Sequence, residues 1–152
     1  AAKAAGDWEA FRALHCPSFQ LEDRRRLFRM TIDLEGSVVN ARHLREGGWR
    51  RVSTLLATAG DCLALERVVW TTGSSTAASE VEMLVVAEVD GEGRATHTVM
   101  FDPDDHSAAR AANQARTWLH LGDFLGADQS VRGRQQRRMN RNKIALREHL
   151  VE

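Results

Sequence analysis

The sequence predicts an α+β domain: helices first, one antiparallel sheet after them, and a helical extension at the C-terminal end. Three observations predict it. Apolar residues recur at helical spacing through the first third of the chain. From Trp49 to Phe101 the period changes to two, interrupted by glycine-containing reversals at 59–61 and 90–93. Beyond Asp102 the helical spacing returns.

The elements follow in order. Trp8, Phe11, Ala13 and Leu14 give a helix from Ala4 to His15, which Pro17 ends because proline disfavours helix in the residue before it. Phe19, Leu21 and Asp23 alternate with Gln20, Glu22 and Arg24, the period of a short strand. Val38, Val39, Ala41 and Leu44 give a second helix, Leu34 to Glu46, with Gly47-Gly48 at its stop. "WRRVSTLLATAGDCLALERVVWTT" reads as a hairpin reversing at Ala59-Gly60-Asp61. "SEVEMLVVAEVDGEGRATHTVMFD" reads as a second: Val81, Met83, Val85, Ala87 and Val89 form an apolar face, Asp90 to Gly93 turns, and Arg94 to Phe101 returns. "FDPDDHSAAR" opens the last helix, with Asp102 as cap, Pro103 at the first position, and Asp104 and Asp105 at the positive end of the dipole. That helix runs on through Trp118, Leu121, Phe124 and Leu125. "VRGRQQRRMNRNKIALREHLVE" then places six cations between Arg132 and Lys143, with Met139, Ile144, Leu146 and Leu150 as apolar marks of a basic amphipathic helix. The division is a domain over 1–125 and a basic helical tail, or the start of a following segment, over 126–152. "LHCPSF" and "LHLGDF" share a Leu-His-x-x-x-Phe spacing, a thin sign of a degenerate repeat beginning near residue 108.

Composition excludes several classes. The 152 residues are 43% hydrophobic and 28% charged, with 21 basic and 21 acidic side chains, so no net charge steers the chain toward nucleic acid or an anionic membrane. Nucleic acid is an expected partner only through the 132–143 tail. No apolar run has the roughly 20 residues that cross a bilayer, and no leader is read, so the expected location is cytoplasmic. Cys16 and Cys62 are reduced thiols without CxxC spacing, and the six histidines are scattered, so neither metal nor cofactor is expected. Gly91-Glu92-Gly93 joins two strands and is no phosphate loop. The opening "AAKAAGDWEA" lacks methionine, and the chain is expected to be part of a longer protein.

"AGDWEAFRALHCPSFQLED", Ala5 to Asp23, resembles the helix-to-strand entry of ketosteroid isomerases and SnoaL-like polyketide cyclases. "EVEMLVVAEVDGEGRATHTVMFDPDD" is similar to the closing hairpin of SnoaL-like domains, particularly those of actinobacterial multidomain regulators. Together they identify residues 4 to 110 as resembling the NTF2-like superfamily. The resemblance implies a cone: a curved antiparallel sheet wrapped around the N-terminal helices, its open end a pocket for a small apolar molecule. It also implies a homodimer through the convex sheet face, on which Glu66, Val68 and Trp70 are placed.

The resemblance lays Asp23 on the general-base aspartate of the isomerases. The isomerase's oxyanion donors are missing: the sequence holds no tyrosine, and the second donor falls at Val85. Arg24, Arg25 and Arg26 also stabilise the Asp23 carboxylate and weaken it as a base, so counter-charge and base stand as alternatives. Limonene epoxide hydrolases use an aspartate-arginine-aspartate set; "ERVVWTT" supplies Arg67, but the acids fall at Val69 and Val99. SnoaL-like cyclases work with acid and histidine groups, which makes His97 the second catalytic candidate. It shares a strand face with Ala95, Val99 and Phe101, read as facing the cone interior. A satisfied core histidine is the alternative. Arg67, Val69, Met83, Val85, Val99 and Phe101 are the candidate ligand contacts. The expected function is a non-catalytic small-molecule-binding or interaction module of a larger bacterial protein. The alternative is an acid-base enzyme of cyclase or isomerase type, using Asp23 and His97 on a small apolar carbonyl substrate.

Overall fold

The computed structural model describes residues 7–73 and 78–124, with side chains through 115. A short helix α1 (Trp8–Ala13) leads into β1 (His15–Asp23); β2 (Met30–Asp33) runs directly into α2 (Leu34–Glu46). Two hairpins follow, β3 (Arg50–Ala59) with β4 (Leu63–Thr72) and β5 (Ser79–Val89) with β6 (Ala95–Phe101), before α3 (His106–Phe124). The strands form one six-stranded sheet in the order β2-β1-β6-β5-β4-β3. It is mixed rather than wholly antiparallel, because β1 lies parallel to β6.

Local chemistry accounts for the boundaries. Asp7 and Asp33 cap α1 and α2, each carboxylate accepting a backbone N–H at 2.9 Å, from Ala10 and Gly36. Gly48, at φ +67°, takes the left-handed turn that lets the Trp49 N–H return to the Leu44 carbonyl. The first helix is shorter than its periodicity implies: it ends at Ala13, and His15 already belongs to β1. Pro17 sits inside that strand without breaking a ladder, since the β1–β6 register is interrupted between His15 and Gln20. The sequence reading misses β2, whose four residues are too few to show a period. It also misassigns the α3 cap. The helix begins at His106 with Asp105 accepting from the Ala108 N–H at 3.3 Å, while Asp102 and Asp104 are drawn away to Arg26.

The sheet is covered on both faces, and alternation sorts the residues between them. Against α2 lie Val68, Trp70, Met83 and Val85, packed with Leu44 and Trp49. Against α3 lie Leu63, Leu65, Leu84, Val86, Val99 and Phe101, closed by Ala109. This corrects two expectations. Glu66, Val68 and Trp70 do not form an exposed convex face: Val68 is 1% exposed and Trp70 9%, both in the core under α2. Arg51 reaches Glu66 there at 3.1 Å. His97 keeps company with Val99 and Phe101 as expected, but the face they share is the α3 face.

Residues 125–152, and with them the basic tail and the domain boundary, lie outside the described residues. The two Leu-His-x-x-x-Phe stretches adopt different structures, Leu14 to Phe19 entering a strand and Leu119 to Phe124 lying in α3, so the shared spacing does not reflect a shared local fold.

Replacing Trp70 tests which face it occupies. Trp70→Ala is expected to cost about 3–5 kcal/mol, as large-to-small core substitutions do, and to lower the melting temperature by roughly 10 °C or more. An exposed tryptophan would give a change near zero, read by thermal unfolding followed by circular dichroism.

Candidate functional site

The acid-and-arginine run that ends β1 folds back on itself. Asp23 is 5% exposed and points to the α2 face. Its Oδ1 accepts from the Arg25 backbone N–H at 3.1 Å and from Arg25 Nε at 2.9 Å; its Oδ2 accepts from Arg25 Nη2 at 2.6 Å. The same guanidinium lies 4.3 Å over the Phe28 ring, and the Arg25 carbonyl accepts from the Phe28 and Arg29 N–H groups. One arginine therefore shapes the whole β1–β2 connection. Its neighbours are also engaged: Arg24 makes a two-point pair with Glu22, and Arg26 bridges Asp102 and Asp104 at the β6–α3 corner. The Arg26 hydrogen bond holds the Asp104 carboxyl below its ordinary range.

Beside this connection opens a depression of about 410 Å³, lined by Glu22, Asp23, Arg24, Arg29, Met30 and Thr31. Arg29 adopts φ +43°, a left-handed conformation that costs a non-glycine residue about 1 kcal/mol or more. Its guanidinium carries no ion pair among the described residues. Leu27, Phe28 and Met30 are exposed at the rim. The site thus joins one free cation, two neutralised acid-arginine pairs and an apolar margin.

The structure divides the sequence-predicted site between the two sheet faces. Asp23, Met100, Val85 and Glu66 form one cross-strand row on the α2 face, with Met83 nearby. The Val85 position expected of an oxyanion donor does face the same side as Asp23, roughly two strand spacings or about 10 Å away. Its side chain supplies no donor. His97, Val99, Phe101, Arg67 and Val69 are on the α3 face by the same register. Val99 and Phe101 are core beneath α3 rather than pocket wall. Arg67 is paired with Glu82 at 2.6 and 2.8 Å on the surface, which lowers the Glu82 carboxyl. His97 lies between Gln20 and Glu88 in the ladder, its Nε2 3.7 Å from Oε2 of Glu22, which is two residues further along β1. Asp23 and His97 are therefore not brought to one reacting centre. Among the described residues no three His, Cys, Asp or Glu side chains converge as a metal would require.

Sequence reasoning missed Arg29, Met30 and Thr31, because they depend on β2. The pairing signal it did contain was the acid-then-arginine order of Glu22 to Arg26. It also passed over His15, which is stacked between Phe11 and Phe19 at ring separations of 4.5 and 4.6 Å, with Nδ1 2.7 Å from the Phe11 carbonyl. Burial pushes this imidazole below its ordinary pKa, against the opposing pull of that hydrogen bond. Burial, aided by Glu88 and Asp61, pushes the Cys62 thiol up to about 11, so it is no nucleophile near neutrality.

The topology, with helices on the α2 side and an opening at the β1–β2 end, is that of an NTF2-like cone, and the chain has the NTF2-like fold. It is similar to AusH from Aspergillus nidulans, at TM-score 0.52 and 15% identity over 66% of this chain and 73% of that one. PrhC from Penicillium brasilianum gives TM-score 0.52 and 14% identity over 91% and 87%. An NTF2-like protein with a cystatin-like fold from Novosphingobium aromaticivorans superposes less fully, at TM-score 0.44 and 18% identity over 71% and 77%. No protein-family model and no curated protein matches the chain. At these identities the likeness shows the fold alone. No helix among the described residues is long and apolar enough to cross a membrane.

Two measurements check the site. Asp23→Asn leaves Arg25 without its counter-charge and is expected to destabilise the fold by about 3 kcal/mol, with Asp23→Asn/Arg25→Met costing less than the sum of the single changes. Urea unfolding of the four proteins gives the coupling. For His15, the folded pKa is lowered, so its stabilising contribution is present above the unfolded value of about 6.5 and is lost as pH falls below it. His15→Gln is expected to flatten the fall in melting temperature between about pH 7 and pH 5.

Proposed function

We propose that the chain is a non-catalytic small-molecule-binding module, working within a larger bacterial protein of the kind the sequence resemblance implies. The observation that carries this reading is the state of Asp23. Both its oxygens are occupied by Arg25, the Val85 position offers no hydrogen bond to a developing oxyanion, and His97 lies on the opposite face. A proton abstraction would require breaking a buried two-point ion pair with no compensating donor.

The ligand site in this reading is the depression over Met30 and Thr31. Met30 and Phe28 supply apolar contact, and Arg29 supplies the one charge not already neutralised by a neighbour. The ligand class that fits is a small, largely apolar molecule with a single acidic group. The Glu22–Arg24 and Asp23–Arg25 pairs serve as a fixed wall, their charges spent on each other.

Native mass spectrometry of the freshly purified chain, together with a thermal-shift series using medium-chain and aromatic carboxylic acids, tests the reading. A stabilisation that disappears in Arg29→Ala and in Thr31→Trp supports it. Turnover of a carbonyl substrate well above the uncatalysed rate, abolished in Asp23→Asn at a temperature where that variant is folded, would overturn it in favour of the acid-base enzyme.

A further inference from the structure

β3 forms one edge of the sheet, and its protection is confined to two arginines at its start and one bulge at its centre. Its ten residues include Val52, Leu55 and Leu56 at 61%, 53% and 44% exposure. From Val52 to Ala59 the strand has no charge, proline or glycine. Long, uncharged, apolar edges pair with other strands. The opposite edge, β2, is only four residues long and ends at Asp33. The expected dimer surface at Val68 and Trp70 is buried within the chain, so it offers no competing interface.

We propose that β3 joins two copies of this chain edge to edge, antiparallel, about a twofold axis passing between Leu55 and Leu56. The occupant follows from self-complementarity. Antiparallel pairing about that axis sets Val52 opposite Ala59 of the second copy, Ser53 opposite Thr58 and Thr54 opposite Ala57, and carries Arg50 alongside the turn that holds Asp61. Directly opposed residues must share a sheet face. In an uninterrupted strand this register would oppose residues of different parity and hence of different faces. The bulge between Leu55 and Ala57 corrects it. Through their β4 partners Thr71, Val69, Arg67, Leu65 and Leu63, the residues Arg50, Val52, Thr54, Ala57 and Ala59 all lie on the α3 face. The irregularity that would otherwise disrupt an edge is what makes this symmetric register consistent.

Charge points the same way. Arg50 is exposed and Asp61 half-buried, and neither side chain makes a hydrogen bond or ion pair in its own chain among the described residues. Arg50 opens the ten-residue strand and Asp61 lies in the turn just beyond its far end, roughly 30 Å away at about 3.3 Å per residue, so a second copy is what brings them together. The twofold forms that pair twice, once at each end of the shared ladder. At the axis Leu55 meets Leu56 of the second copy, covering the two most central exposed side chains.

Sedimentation velocity of the full chain over a concentration series tests the proposal, with three variants beside it. The native chain is expected to pass from monomer to dimer as concentration rises. Leu55→Lys/Leu56→Lys places four like charges at the axis and is expected to remain monomeric at every concentration, with a melting temperature near that of the native monomer because both positions are exposed. Arg50→Asp is expected to raise the dimer dissociation constant by about fivefold or more, from two lost rim pairs. Arg50→Asp/Asp61→Arg is expected to restore it. A native chain that stays monomeric, as it would if residues 125–152 held this edge, overturns the proposal. So does a dimer indifferent to the paired lysines, or an Arg50→Asp effect that the reversed charge does not rescue.

Discussion

Burial of both sheet faces is the constraint from which the rest of this molecule follows. β4 and β5 carry unbroken buried runs, Leu63 to Glu66 and Met83 to Val86, where a sheet with one wet face would alternate. Two covers are required. α2 lies over Val68 and Trp70, and α3 over Leu65 and Val86. Once both are in place, the buried residues of the central strands are divided between two separate interiors, and a shift of one residue moves a side chain from one to the other. That is why Asp23 and His97, which look like partners in a list of candidate groups, belong to different environments.

The β1–β2 connection shows how the chain handles charge at the open end of such a sheet. A carboxylate as buried as Asp23 is tolerated because a neighbouring arginine supplies two donors in the right fork, and the backbone supplies a third. Arg25 then uses its planar face on Phe28, which a lysine would do less well. Arg26 ties this loop to Asp102 and Asp104, so the β1–β2 connection and the start of α3 are held together across about half of the sequence. The exposed ion pairs at this corner add little stability individually; their effect is to fix the rim of the depression. Arg29, left out of the network and held in a left-handed conformation, is the group available to something outside the chain.

The two edges of the sheet divide the remaining surface. The β2 edge is short and next to the depression; the β3 edge is long, apolar and remote from it. The proposed ligand contact and the proposed self-association fall at opposite ends of the strand order β2-β1-β6-β5-β4-β3, so a second copy on β3 would leave the depression open. The α2 helix lies over the face on which dimer contacts at Val68 and Trp70 were expected, which leaves the β3 edge as the proposed site of self-association.

What the sequence by itself determined were the features carried by local chemistry. Period, turn residues and caps placed α2 at Leu34 to Glu46 and located both hairpins, while the cone came from the family resemblance. The order of acids and arginines at 22–26 already contained the Asp23 counter-charge reading. What only the tertiary structure decided was long-range. The apolar pattern of Val81 to Val89 is compatible with either cover, and nothing local says that α3 returns to the His97 face while α2 takes the Trp70 face. Asp102 reads as a helix cap until Arg26, remote in sequence, claims it. β2 exists because β1 offers it an edge, its four residues having no periodic signal of their own, and Arg29 and Thr31 enter the site with it. Side-chain type is a property of the chain, but the face a residue occupies, and so its partner, is a property of what packs against the sheet.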